Sequence, residues 1–152
     1  MTDYGLLASQ VKEMLRTEPW YTAALSNISA LLMDSISDIN WVGFYLLKQN
    51  RLVVGPFQGH PACIHIEIGK GVCGTAVAEN RIQLVPDVHL FPGHIACDSA
   101  SRSEIVLPIH FKGQVAAVLD IDSPIKNRFS SEDAEGLSHI VASIEDMIVW
   151  EA

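Results

Sequence analysis

Positive charge is scarce in this sequence. Ten Lys and Arg residues stand against eighteen Asp and Glu, a formal net charge of −8, and no basic stripe runs along any segment. Nucleic-acid backbones are bound through clustered Lys and Arg, so a nucleic-acid partner is excluded. Long apolar runs are missing too. No stretch approaches the ~18 uninterrupted apolar residues of a membrane-spanning helix, because Asp, Asn or Lys interrupts each one. The opening MTDYGLLASQVKEMLRTE has neither an apolar h-region nor a small-residue cleavage site, so it does not read as a signal peptide. A cytoplasmic protein with no membrane partner is the expectation. The three cysteines include no Cys-x-x-Cys pair, and an odd count argues against a static disulfide framework. No Gly-x-Ser-x-Gly elbow and no His-Glu-x-x-His is present. The GKGVCG segment lacks both the downstream acid of a dinucleotide site and the Lys-Ser/Thr of a P-loop.

What remains is a chain of 152 residues with 49% hydrophobic content, enough for one domain with a real core and against intrinsic disorder. Leu6, Leu7, Val11, Met14 and Leu15 fall at helical spacing. Pro19 then opens a second helical segment, carried on by Leu25, Ile28, Leu31, Leu32 and Ile36. From Ile39 the pattern changes. INWVGFYLL and RLVVGPFQG flank the turn KQN as a hairpin, and CIHIEI alternates with period two as a third strand. TAVAEN reads as a short helix and RIQLVP as a fourth strand. Residues 87–103 have no sustained period, and a loop of that length in a compact domain is often functional. SEIVLPIHF and VAAVLDID form a second hairpin about Lys112-Gly113-Gln114. The last helix opens on FSSED, with Leu137, Ile140, Val141 and Ile144 on one face. The order predicts an α+β domain, a central antiparallel sheet with helices packed on one face.

The cysteines occupy different settings. Cys97 lies in the irregular loop among His94, Asp98, Ser99 and Ser101, where a thiol can be accessible and its thiolate stabilised. Cys73 lies at the start of the short helix, a placement that favours a thiolate and makes it a rival nucleophile, unless it is only a small apolar residue wanted between glycines. Cys63, ahead of a period-two strand, reads by itself as a buried, inert cysteine. A zinc site from these three with His60, His65, His89 or His94 has the wrong spacing for compact zinc motifs. No metal is expected.

Asp120 and Asp122 are two apart on a strand, so both point to one face. An acid pair there is costly to bury without a partner. Either the face borders a cavity, or the acids hold a cation, or they are solvated at the strand end. The hairpin about Lys112-Gly113-Gln114 brings Glu104 close to them. Three carboxylates together should raise at least one pKa and keep one carboxyl protonated.

INWVGFYLL, VGPFQG, ACIHIEIGKGVCGTA, DVHLFPGHIACDSASRSEIVLPI and VLDIDS together resemble the free methionine-(R)-sulfoxide reductases, and the likeness runs essentially end to end. That family implies a single GAF domain over residues 1–152, with a six-stranded antiparallel sheet. By resemblance Cys97 is the nucleophile, Cys63 resolves it as a disulfide, and Cys73 is a second resolving or alternative catalytic thiol. Glu104, Asp120 and Asp122 are pocket acids, and Trp41 and Tyr45 are pocket aromatics. The implied chemistry is attack of the Cys97 thiolate on the sulfoxide sulfur of free methionine sulfoxide. Release of methionine leaves a sulfenic acid, which condenses with Cys63, and thioredoxin restores both thiols. No cofactor is implied; a homodimer is. Two rivals stand beside this reading. A sensory GAF module would need an output domain, and NRFSSED echoes a cyclic-nucleotide signature with its acidic pair in the wrong order. A general disulfide oxidoreductase would need the missing Cys-x-x-Cys.

Overall fold

The computed structural model describes residues 1–95, 97 and 99–151; Ala96 and Asp98, on either side of Cys97, lie outside the described residues. The elements follow the expected order. They are α1 (Tyr4–Thr17), α2 (Tyr21–Ser35), β1 (Trp41–Lys48), β2 (Arg51–Gln58), β3 (His65–Glu67), α3 (Gly71–Glu79), β4 (Gln83–Val85), β5 (Ser103–Phe111), β6 (Gln114–Ser123) and α4 (Ser131–Met147). The six strands form one sheet in the order β3-β2-β1-β6-β5-β4, with every neighbouring pair antiparallel. Among the described residues, no helix is long and apolar enough to cross a membrane.

Local chemistry explains most of the boundaries. Gln49 and Asn50 both take positive φ (54° and 64°), the conformation a two-residue hairpin turn demands between β1 and β2. At the start of α4, Ser130 and Asp133 form a reciprocal capping box, satisfying two otherwise orphaned donors. Three boundaries differ from the sequence reading. Pro19 does not begin α2. Its carbonyl accepts from the Val149 N–H at 2.8 Å, and Val149 in turn accepts from the Tyr21 N–H at 2.9 Å, so Pro19 and Trp20 run beside the chain after α4 and the helix starts at Tyr21. The third strand shrinks to His65–Glu67, leaving Cys63 and Ile64 outside it. Within the expected loop, Val88–Leu90 forms one 3₁₀ turn capped by the Asp87 side chain.

The sheet has two different faces. Val42, Phe44, Ile105, Leu107, Ile109, Ala117, Leu119 and Ile121 point one way, into a core closed by α1, α2 and α4. That is the helical layer expected from sequence, and Leu137, Ile140, Val141 and Ile144 are all buried in it; Leu6 instead faces solvent. The fourth helix, α3, crosses the opposite face, where Val72, Cys73 and Ala76 pack with Trp41, Tyr45, Val106 and Val118. Gly74 sets how closely α3 can approach. A Cβ there would lie 2.4 Å from the Glu67 carbonyl oxygen, so Gly74→Ala must push α3 off its seat. We expect a loss of about 1–3 kcal/mol of stability, read from the urea midpoint, and a larger proportional loss of any activity that depends on α3.

Candidate active site

Strand periodicity places the acids. On β6, Asp120 and Asp122 alternate with Leu119 and Ile121, so the apolar residues take the helical core and the acids take the α3 face. The hairpin pairs Glu104 directly with Asp122, and Val106 with Asp120. On the other flank, Trp41 pairs with Asp122 and Gly43 with Asp120. One row across the sheet therefore reads Trp41–Asp122–Glu104, and cross-strand neighbours in such a row touch. The hairpin thus brings Glu104 beside Asp120 and Asp122 as the sequence suggests, with the pairing shifted by an irregularity between Ile109 and His110.

These residues form the floor of a cavity whose walls include Ile66, Gly71, Val72 and Cys73 of the α3 side and His94, Ile95 and Cys97 of the 87–103 loop. All eight residues singled out from sequence are brought together here. Seven line the cavity directly. The eighth, Cys63, is joined to Cys97 by a disulfide with Cα atoms 5.4 Å apart, and its neighbours Pro61 and Ala62 also line the cavity. Cys63 is thus not the inert buried thiol its local sequence suggests. Trp41 and Tyr45 have their polar atoms engaged: the Trp41 indole donates to the His60 carbonyl at 3.1 Å and the Tyr45 hydroxyl to the Cys63 carbonyl at 3.2 Å. Both aromatics therefore tie the segment that carries Cys63 to the sheet, and Phe57 stacks on Trp41 with ring centroids 5.1 Å apart.

Burial sets the electrostatics. Glu104 and Asp120 are only 8% and 5% exposed. Burial, then the charges of Asp120 and Asp122, pushes the Glu104 carboxyl well above the usual carboxylate range. Burial also raises Asp120, but hydrogen bonding from Glu104, Cys73 and Asp122 pulls it back. Of these two, Glu104 is the carboxyl that keeps its proton. Cys73 is shifted in the direction opposite to the one its helical position suggests: burial, then Asp120 and Glu104, drives its thiol upward. The helix start favours a thiolate, yet a buried site facing carboxylates outweighs that contribution. His94 is held below the usual imidazole range by burial and by the nearby His89.

Among the described residues, ligating atoms of Cys73, Glu104 and Asp120 lie within 4.8 Å of one another. The cysteine–histidine set weighed from sequence is not assembled, since Cys63 and Cys97 are bonded to each other. A compact acid cluster beside one apolar wall and two aromatic rings suits a small organic cation. Sequence reasoning missed Ile66, Val72 and Ser101 as wall residues. Ile66 lies in the alternating CIHIEI run and Val72 in the GKGVCG segment, where nothing local marks a cavity wall, and Ser101 is placed by a hydrogen bond from Asn40 at 3.2 Å, a contact across 61 residues that no local pattern announces.

Comparison with known proteins agrees with this geometry. Residues 22–148 match the GAF domain family model. The free methionine-R-sulfoxide reductase of Escherichia coli is 52% identical over 145 residues, spanning 95% of this chain and 88% of that protein. The fRMsr structure of Staphylococcus aureus in its reduced form superposes with a TM-score of 0.95 at 57% identity, covering 98% of this chain and 97% of that one. Its complex with substrate superposes with a TM-score of 0.93 at 56% identity, again covering 98% and 97%. With the acid row, the aromatic pair and the three cysteines all on one face of a GAF sheet, this chain belongs to the free methionine-R-sulfoxide reductase family.

Proposed function

We propose that this protein reduces free L-methionine (R)-S-oxide to L-methionine, using Cys97 as nucleophile and Cys63 as resolving thiol. The observation that carries the reading is the meeting of a Cys63–Cys97 disulfide and a buried three-acid cluster at one cavity. In the reduced enzyme the Cys97 thiolate attacks the sulfoxide sulfur while the Glu104 carboxyl hydrogen-bonds the sulfoxide oxygen and delivers a proton to it. The twice-protonated oxygen leaves as water as the S–O bond breaks, giving a sulfonium joined to the Cys97 sulfur. A water then attacks the Cys97 sulfur, the S–S bond breaks with its electron pair leaving on methionine, and Cys97 is left as a sulfenic acid. The Cys63 thiol then attacks that sulfur, the oxygen departs as water, and the disulfide forms. A dithiol protein of the thioredoxin type returns both sulfurs to thiols by exchange. Asp120 and Asp122 hold the substrate ammonium, and Trp41 and Tyr45 offer ring faces to its methyl end. Cys73 serves as a buried neighbour of the acids, since its raised pKa makes it a poor nucleophile at neutral pH. The chain works in the cytoplasm, as a homodimer.

Reduced protein given free methionine sulfoxide and dithiothreitol should release methionine continuously, whereas a ligand-sensing module would release none. Cys63→Ser separates the steps. It should release about one methionine per enzyme in the first turnover, then recycle at least tenfold more slowly with thioredoxin, because its sulfenic acid has no internal partner. Rapid-quench counting of methionine checks this; a wild-type steady-state rate with thioredoxin would rule Cys63 out as the resolving thiol.

A further inference from the structure

We infer that the exposed apolar surface around the Cys63–Cys97 disulfide is the docking face for a dithiol protein, whose thiolate attacks the sulfur of Cys63. This rests on the proposed reaction, which ends in that disulfide. It concerns how the disulfide is opened again, at a surface outside the substrate cavity.

Exposed apolar side chains are ordinary when scattered singly and carry meaning where they gather. Here they gather in the two segments that hold the disulfide. Ile64, next to Cys63, is 62% exposed, and Leu90, in the loop before Cys97, is 80% exposed. Ile68 and Ile95 are exposed as well. Ile95 lies over the turn that follows Ile68, 3.3 Å from where a Cβ would stand on Gly71. The loop folds back on itself. The His94 N–H donates to the Phe91 carbonyl at 3.2 Å, and the His89 and His94 rings meet with centroids 6.4 Å apart. That fold-back keeps Leu90 near the Cys97 end of the loop.

Charge is kept off both segments. GHPACIHI (residues 59–66) and VHLFPGHIAC (residues 88–97) contain no Asp, Glu, Lys or Arg, in a chain of net charge −8. Ile66 and Val88 are buried, but the other described residues of both segments reach solvent at least in part, so burial does not account for the missing charges. An acidic protein thus presents an uncharged, apolar window at its disulfide, where a partner meets no like-charge repulsion and strips no ions of water. A small thiol needs no such surface. A folded dithiol protein does, because its sulfur reaches the disulfide only by burying the ground around it, and interface cores are poor in charge.

The geometry also selects the sulfur. Cys97 is a wall of the cavity, whereas Cys63 does not line it and sits beside Ile64. The partner's first thiolate bonds to the Cys63 sulfur, the Cys63–Cys97 bond breaks, and Cys97 leaves as a thiolate. The partner's second thiolate then attacks the partner's own first sulfur and frees Cys63. The partner ends as a disulfide. The enzyme has gained two electrons and, on protonation of both sulfurs, two protons.

Ile64→Ser and Leu90→Ser test the docking face in full-length protein, assayed on free methionine-(R)-sulfoxide with either dithiothreitol or thioredoxin as reductant. Each variant should raise the KM for thioredoxin about 5- to 30-fold, the scale of truncating an apolar anchor at an interface. The dithiothreitol-driven rate and the KM for the sulfoxide should match wild type, which also shows that the variants are folded. Thioredoxin whose second cysteine is replaced by serine should be trapped on the oxidised wild-type protein as a mixed disulfide with Cys63, mapped by peptide mass spectrometry after an acid quench. The inference is overturned if both variants keep the wild-type KM for thioredoxin, if dithiothreitol turnover falls as far as thioredoxin turnover, or if the trapped sulfur is that of Cys97. In each of these cases wild-type turnover with dithiothreitol leaves the proposed reaction standing; absence of that turnover would overturn the reaction itself.

Discussion

Replacing Cys97 by serine should remove even the first release of methionine, a loss on the order of 10⁴-fold or more when a nucleophile is deleted from a covalent mechanism. The expectation follows from position. Cys97 lines the same cavity as the acids and is joined to Cys63 by the disulfide. Cys73 also lines the cavity, but its thiol is buried against carboxylates and driven upward in pKa, so it cannot substitute at neutral pH. Cys73→Ser should therefore slow the reaction and still permit a burst. The measurement is single-turnover methionine release by the reduced, fully folded variants, with circular dichroism as the folding control. A burst in Cys97→Ser together with none in Cys73→Ser would reverse the assignment of the nucleophile.

Glu104→Gln should lower kcat by roughly 10²–10⁴-fold, the usual contribution of a positioned general acid, with little change in KM. The amide keeps a hydrogen-bond donor near the sulfoxide oxygen but has no proton to give. Asp120→Asn should do the reverse and raise KM about 10- to 100-fold, because the ammonium loses its ionised partner. The pH profile separates the two further. Glu104 acts in its protonated form, so wild-type kcat should fall as pH rises through its elevated pKa, and Glu104→Gln should show no such fall. Stability follows the same sign. The folded-state pKa of Glu104 lies above its unfolded value, so its contribution is fully present below the ordinary carboxyl range and is lost as pH rises through the folded value. Glu104→Gln should thus be more stable than wild type on the alkaline side, by a margin that widens with pH across that window. An inactive variant with improved alkaline stability is the signature of a functional, costly acid. Near-normal kcat and KM in both variants would make the cluster structural only.

The parts of this molecule that were legible in its sequence were those governed by short periods. Alternation along β6 announced that Asp120 and Asp122 share a face, whereas the pairing of Glu104 with Asp122 depends on an irregularity between Ile109 and His110 that no local pattern marks. Helical spacing marked Leu137, Ile140, Val141 and Ile144 as one buried stripe. Features set by distant contacts were less legible. The extended bridge of Trp20 with Val149 joins the two ends of the chain, so the N-terminal boundary of α2 depends on residues more than a hundred positions away. The direction of the Cys73 shift is hidden from local sequence for a similar reason. A helix start is visible locally, whereas the carboxylates that oppose it arrive from β5 and β6. Placement of α3 on the face opposite the other helices is what converts an apolar sheet surface into a walled site.

The proposed reaction requires this cavity to reduce one epimer of one free amino acid. It is tested most directly by giving the reduced protein an equimolar mixture of the R and S epimers of free methionine sulfoxide and following both by chiral chromatography. The R epimer should disappear with matching appearance of methionine while the S epimer stays constant. Equal consumption of both epimers, or loss of neither, would contradict it.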